Sequence, residues 1–150
     1  MQVVGGNFNS SRSAKGITDL FFQPKICWKA VGRNLAFAIV DSGTFLTAPA
    51  SFISAGKFNK YILAILCSAL GRYYIWKNSD TTGAGDIMLN IQSLIKFPVP
   101  LSNSSICASI EDGVDEIIGN GNFEHQRRLD STIFSLYGFN EEEIEEIRQL

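Results

Sequence analysis

The chain has 150 residues, 45% of them hydrophobic and 11% aromatic, enough to bury the core of one folded domain. Its formal net charge is −2 and its pI is near 5.4, which excludes a generic DNA coat and leaves room for a local basic face. The residues from Met1 to Ser13 are polar and lack the apolar stretch of a signal peptide, and the chain opens abruptly, as a piece of a larger protein would.

Taken in order, residues 1–23 show no periodicity, and Gly5-Gly6-Asn7 and Asn9-Ser-Ser11 read as turns. Lys25–Val31 and Ala36–Val40 read as two strands joined by a tight turn at Gly32-Arg-Asn34. Asp41-Ser-Gly43 is a second turn, Thr44–Leu46 a third strand, and Ser51–Ser54 a candidate fourth. Asn59 is placed to cap a helix starting at Lys60. That helix, Tyr61–Trp76, is apolar on every side, so it should be covered by the sheet and by other helices. It is 16 residues long and contains Ser68, Gly71 and Arg72. A membrane span needs about 20 apolar residues, so no membrane is expected as a partner.

The polar stretch Lys77–Asp86 reads as a flexible loop at the rim of the core. Asp86–Leu94 carries apolar residues at spacings of three and four and reads as a short amphipathic helix. Phe97-Pro-Val-Pro100 reads as extended, because proline biases its predecessor away from helix. Ser102–Ser105 caps a helix over Ile106–Ile118 that ends at Gly119-Asn-Gly121. Glu124–Tyr137 is the next helix, with Gly138 suited to follow its end. Asn140 and Glu143 form a capping box for a last helix over Glu141–Gln149.

Charge is divided unevenly along the chain. Residues 1–105 carry ten Lys/Arg and four acids, a balance of +6, whereas residues 106–150 carry three Lys/Arg and eleven acids, a balance of −8. The division suits a basic surface for an anionic partner and an acidic end turned elsewhere, although scattered lysines are equally what any solvated surface shows. Cys27, Cys67 and Cys107 stand alone in apolar surroundings, too far apart for a CxxC metal site, and the chain has one histidine. They read as small core residues in a reducing compartment, with the cytoplasm as the expected location.

An ordered set of segments resembles a known family. Pro24-Lys-Ile26 with Arg33, Phe37 and Asp41-Ser-Gly43 comes first; Tyr61–Leu70, the Gly83/Gly85 loop, Ile91, Leu94 and Phe97-Pro-Val-Pro100 follow. Leu129-Asp130, Leu136-Tyr-Gly138 and Glu141-Glu-Glu-Ile144 close the set. Together, from about Pro24 to Leu150, they resemble the C-terminal, Taq-like target-recognition domain of type IIG restriction–modification enzymes, which join an N6-adenine methyltransferase core to a specificity domain. Type I specificity subunits and stand-alone adenine methyltransferases carry related modules. The resemblance implies an α/β (α+β) domain in which a small, mostly antiparallel sheet packs on a long buried helix, followed by C-terminal helices. It divides the chain into an irregular segment 1–23, a recognition core 24–105 and a helical segment 106–150. It also implies a parent chain whose methyltransferase and nuclease domains use S-adenosylmethionine and Mg²⁺, neither of which should bind to this piece.

Catalytic motifs are lacking. The methyltransferase tetrapeptide needs Pro-Pro, and no Pro-Pro occurs. Gly83-Ala-Gly85 follows a helix rather than a strand, so it is not a dinucleotide loop. No lysine has an acid two residues before it, as the common nuclease motif requires. His125 reads as a lone surface histidine, and Glu111, Asp112, Asp115 and Glu116 as a solvated helix face rather than an acid–base pair. The chain itself should therefore not be an enzyme.

Binding to double-stranded DNA is the function expected instead. Cations release counterions from phosphate, and polar side chains on turns read base edges. Lys29, Arg33 and Asn34 crowd the first turn; Lys77, Asn78, Ser79, Thr81 and Thr82 crowd the loop after the long helix. Gly83 and Gly85 would admit a phosphate close to the backbone, and Lys96 precedes the Pro-Val-Pro segment. Arg33 is either a base or phosphate contact or an ion pair with Asp41. The alternative from a different class is a protein-interaction or scaffold module with no nucleic-acid role.

Overall fold

The computed structural model describes residues 19–121 and 123–149. The expected turns at Gly5-Gly6-Asn7 and Asn9-Ser-Ser11, and most of segment 1–23, lie outside the described residues. The fold is α+β, with two small antiparallel sheets and a set of helices.

The first sheet has the order β3-β1-β4, from β1 (Lys25–Lys29), β3 (Phe37–Val40) and β4 (Ala50–Ile53). Register pairs Cys27 with Ala38 on one side and with Phe52 on the other. Side chains alternate across a strand, so Ile26 and Trp28 face the core, with Phe37, Ile39 and Ile53 packed on it. Lys25 and Cys27 face the other way. There Lys25 is fully buried, donating to the Phe21 and Gln23 carbonyls at 3.0 and 3.1 Å, with its ammonium 6.0 and 5.9 Å from the Phe21 and Phe52 rings. A residue counted in the basic half of the sequence is thus an internal strut. Thr44–Leu46, expected as a strand, is irregular.

The second sheet, order β2-β6-β5, joins β2 (Val31–Gly32), β6 (Ile87–Met88) and β5 (Asp80–Thr81). The expected helix over Asp86–Leu94 is therefore corrected to a strand and a single helical turn, α3 (Ile91–Leu94), capped by the Asn90 side chain. Two residues tie the sheets together. Leu89 N donates to the Ala30 carbonyl at 2.9 Å, and buried Trp28 donates from Nε1 to the Leu89 carbonyl at 3.1 Å.

The long buried helix is two helices, α1 (Asn59–Cys67) and α2 (Ala69–Asn78), broken at Ser68, whose ψ is 165°. Serine competes well with helical backbone hydrogen bonds. Here the buried Ser68 hydroxyl donates to the Ile65 carbonyl at 2.7 Å and accepts from Gly71 N at 3.0 Å, ending one helix and capping the next. Asp130 Oδ1 accepts from Ala69 N at 3.1 Å. Ser68→Ala should cost about 1–2 kcal/mol through the lost cap, read as a lower urea midpoint with unchanged slope. Asn59 is not the expected cap. It lies inside α1, accepting from Ala55 N and donating to the Pro24 carbonyl, both at 2.8 Å.

α1 packs on the first sheet and on α4 (Ser104–Asn120), while α5 (Phe123–Tyr137) and α6 (Glu141–Arg148) close against α2. Ile110, Val114, Leu129, Ile133, Phe134 and Ile147 supply their buried sides. The expected caps are present: Gly121 and Gly138 follow α4 and α5 with positive φ, and Asn140 and Glu143 form the full capping box of α6. Phe97–Pro100 lies outside both sheets. Two phenols anchor this segment, Tyr61 to the Pro100 carbonyl at 2.8 Å and Tyr137 to the Pro98 carbonyl at 2.7 Å. Burial pushes Tyr61 up to about 12 and raises Tyr137 as well, so both remain donors at neutral pH. The three cysteines are free and half-buried. Among the described residues, no helix is long and apolar enough to cross a membrane.

Candidate nucleic-acid interface

The stretch expected as a flexible loop is a β-hairpin. Lys77 and Asn78 complete the last turn of α2, Ser79 ends it with its N–H on the Ile75 carbonyl at 2.9 Å, and the chain passes directly into β5. The turn closes with Thr82 N on the Asp86 carbonyl at 2.8 Å, Gly85 N on the Thr82 carbonyl at 2.9 Å, and Asp86 N on the Thr82 hydroxyl at 3.1 Å. Gly85 has a φ of +82°, which a side chain would strain. A Cβ at Gly83, as at Gly85, would meet nothing within 4 Å, and Gly83 has no positive φ to strain it. Its missing side chain leaves the exposed tip open to a close approach from outside.

Pairing of β2 with β6 sets Gly32 opposite Ile87, which brings the first turn against this hairpin. Arg33 then lies beside Asp86, with Nε 3.5 Å from Oδ1. The ion pair expected with Asp41 is corrected to Asp86, which sits 53 residues away in sequence and one strand away in space. The Arg33 side chain is 79% exposed. An exposed pair of this kind contributes about 0–1 kcal/mol, and the guanidinium has further donors in its fork. Asn34 is exposed next to it.

Lys29 ends β1, two residues before β2, and is exposed. The Lys77 ammonium rests 5.0 Å from the ring of half-exposed Trp76 and 5.4 Å from that of Tyr73. Asn78 is turned back onto the Tyr74 carbonyl at 2.8 Å. The Ser79 hydroxyl is buried without a hydrogen-bond partner, and exposed Thr81 pairs with Ile87. Lys96 stands apart, exposed on the turn after α3.

Eight of the eleven expected residues therefore come from the two paired clusters around the second sheet: Arg33, Asn34, Lys77, Asn78, Thr81, Thr82, Gly83 and Gly85. Lys29 flanks them. The same hairpin carries Asp80 and Asp86, so Lys29, Arg33 and Lys77 leave a balance of only +1 there. Trp76 is half-exposed although it ends a run that reads as an all-buried helix. Its signal was Arg72, four residues earlier on the same helix face and likewise exposed.

Lys60 on α1 pairs across the two halves with Asp115 on α4, at 2.6 Å, and that carboxylate raises the Lys60 ammonium. His125 is corrected from a lone histidine: its Nδ1 faces Glu116 Oε2 across α4 and α5. Among the described residues, no three His, Cys, Asp or Glu side chains are grouped to hold a metal ion.

The molecule is thus an α+β domain with a two-cluster polar edge built on a small sheet. No protein-family model matches the chain, and no curated protein matches it.

Proposed function

We propose that this domain recognises double-stranded DNA, selecting a target site for linked adenine-methyltransferase and endonuclease domains. The observation that supports the reading is the antiparallel pairing of β2 with β6. It draws two polar clusters, far apart in sequence, onto one edge around a hairpin with an open glycine tip. On this reading Lys29, Arg33, Lys77 and Lys96 meet phosphates, and Asn34, Thr81 and Thr82 face base edges. Asp86 holds the Arg33 fork in position. S-adenosylmethionine and Mg²⁺ belong to the parent chain's other domains, and the acidic helices α4 to α6 are assigned to packing on the rest of that chain rather than to the duplex.

A titration of fluorescent mixed-sequence duplex tests this. With four phosphate contacts, affinity should fall on the order of 10²-fold between about 50 and 200 mM salt. Lys77→Ala should weaken binding and lower the salt slope by about 1, with the melting temperature unchanged. Binding by Arg33→Ala and Lys77→Ala indistinguishable from the parent would sink the assignment. The competing reading, an interaction module without nucleic acid, draws on the small charge balance at the hairpin and on exposed Trp76. Salt-independent self-association would favour it.

A further inference from the structure

A concave site lies between α2, the Phe97–Pro98 segment and α6, reaching Asn78 at the end of α2. It has a volume of about 330 Å³, the size of a small-molecule site. Its walls are largely aromatic: Tyr73, Tyr74, Phe97, Tyr137 and Phe139. Tyr74 meets Phe97 edge-on at 4.3 Å, and Tyr137 lies near-parallel to Phe139 at 6.1 Å. Both contacts fix the rings and so present their faces in a set geometry.

The charged lining is all acidic, Glu143 and Glu146. Behind them, residues 141–148 carry five glutamates against one arginine. Glu143 is committed to the capping box, whereas Glu146 Oε1 accepts from the Tyr73 hydroxyl at 3.3 Å. Burial and the Glu146 carboxylate raise the Tyr73 phenol, keeping it neutral. The protein's own cations already gather on the flanks of this cluster: Lys77 sits on the Tyr73 ring, and Arg148 lies 5.6 Å from the Phe134 ring. Ring faces carry a negative quadrupole that attracts cations, and most strongly those that are weakly hydrated.

We propose that this groove binds an alkylammonium group, a positive charge on an apolar stem. The aromatic walls take the stem and the methyl or methylene groups, and Glu146 balances the charge. The proposal does not rest on the DNA reading, although the two sites meet at the end of α2, where Asn78 lines the groove and Lys77 sits on the Tyr73 ring.

The test uses the full chain and three probes, followed by NMR shifts of the tyrosine ring protons. Choline represents a free quaternary ammonium, lysine blocked as its Nα-acetyl methylamide, with the ε-ammonium free, represents a lysine of a partner peptide, and 3,3-dimethylbutan-1-ol is the uncharged carbon isostere of choline. At least one cation should give saturable shifts, and the tighter of the two names the source. Dimethylbutanol should bind about five- to tenfold more weakly than choline if choline is the ligand. Glu146→Gln should weaken the cation about threefold or more while leaving the melting temperature unchanged, because Glu146 is exposed. Equal binding by dimethylbutanol and choline, or saturable shifts from neither cation, would overturn the proposal.

Discussion

Gly71→Ala should lower the melting temperature by about 6–12 °C, the shift expected from roughly 3 kcal/mol in a domain of this size. The cause is a close approach of backbones. Because the chain breaks at Ser68, α2 starts at an angle that drives its first turn against the end of α1. A Cβ on Gly71 would lie 2.2 Å from the Ile65 carbonyl oxygen and 2.6 Å from that of Leu66. Neither atom is the end of a flexible side chain, so relief requires moving one helix relative to the other. Both helices contribute to the core, through Leu63, Ile65 and Leu66 on one side and Leu70 and Ile75 on the other. The comparison variant is Gly113→Ala on α4, whose Cβ would meet only the Leu129 Cδ1 atom, at 3.4 Å. That methyl group can shift by a few tenths of an ångström, so Gly113→Ala should melt close to the parent. Thermal scans by circular dichroism separate the two. Equal melting temperatures would show that the Ser68 break is not the rigid joint described.

The same joint marks the limit of what the sequence disclosed. The run Tyr61–Trp76 is apolar apart from Ser68, Gly71 and Arg72, and its pattern gives no sign of where one helix becomes two. Ser68 and Gly71 are the only local markers, and each is tolerated in an uninterrupted buried helix. Caps were legible because they are local chemistry: Asn140 with Glu143, and the glycines after α4 and α5, act through hydrogen bonds within a few residues. The second sheet was not legible. Its strands are two residues each, too short for periodicity, and Ile87, Met88, Ile91 and Leu94 match helical spacing by coincidence. Tertiary pairing with Val31–Gly32 and Asp80–Thr81 overrides that spacing. At the candidate interface the residue types were readable as clusters, but their meeting was not. The partner of Arg33 depends on a strand pairing between distant segments, and the burial of Lys25 on Phe21 and Phe52, which pack against one another at 5.6 Å. Alternation along Lys25-Ile-Cys-Trp-Lys29 does place both lysines on one face of β1, yet one is buried and the other exposed.

Trp28→Ala should cost about 3–5 kcal/mol, the range for removing a large buried aromatic, and Trp28→Phe should cost about 1–3 kcal/mol for the buried carbonyl it leaves without its donor. Trp28 is 2% exposed, packs 5.9 Å from the Phe37 ring, and reaches from the first sheet to the Leu89 carbonyl. Leu89 is the residue after β6, so this one indole fixes the hairpin strand that carries Asp86 at its other end. The two substitutions separate stability from positioning. Alanine opens a cavity in the core and lowers the urea midpoint sharply. Phenylalanine retains most of the apolar contact and removes only the Nε1 bond, leaving Leu89 N on the Ala30 carbonyl as the remaining direct tie described here between the sheets. Amide exchange at Ile87, Met88 and Leu89 should therefore quicken in Trp28→Phe relative to exchange in α5, and duplex affinity should fall with it if the hairpin is the recognition edge. Exchange that quickens equally throughout the molecule would mean that Trp28 supports the core alone, and that the second sheet holds its place by backbone pairing without it.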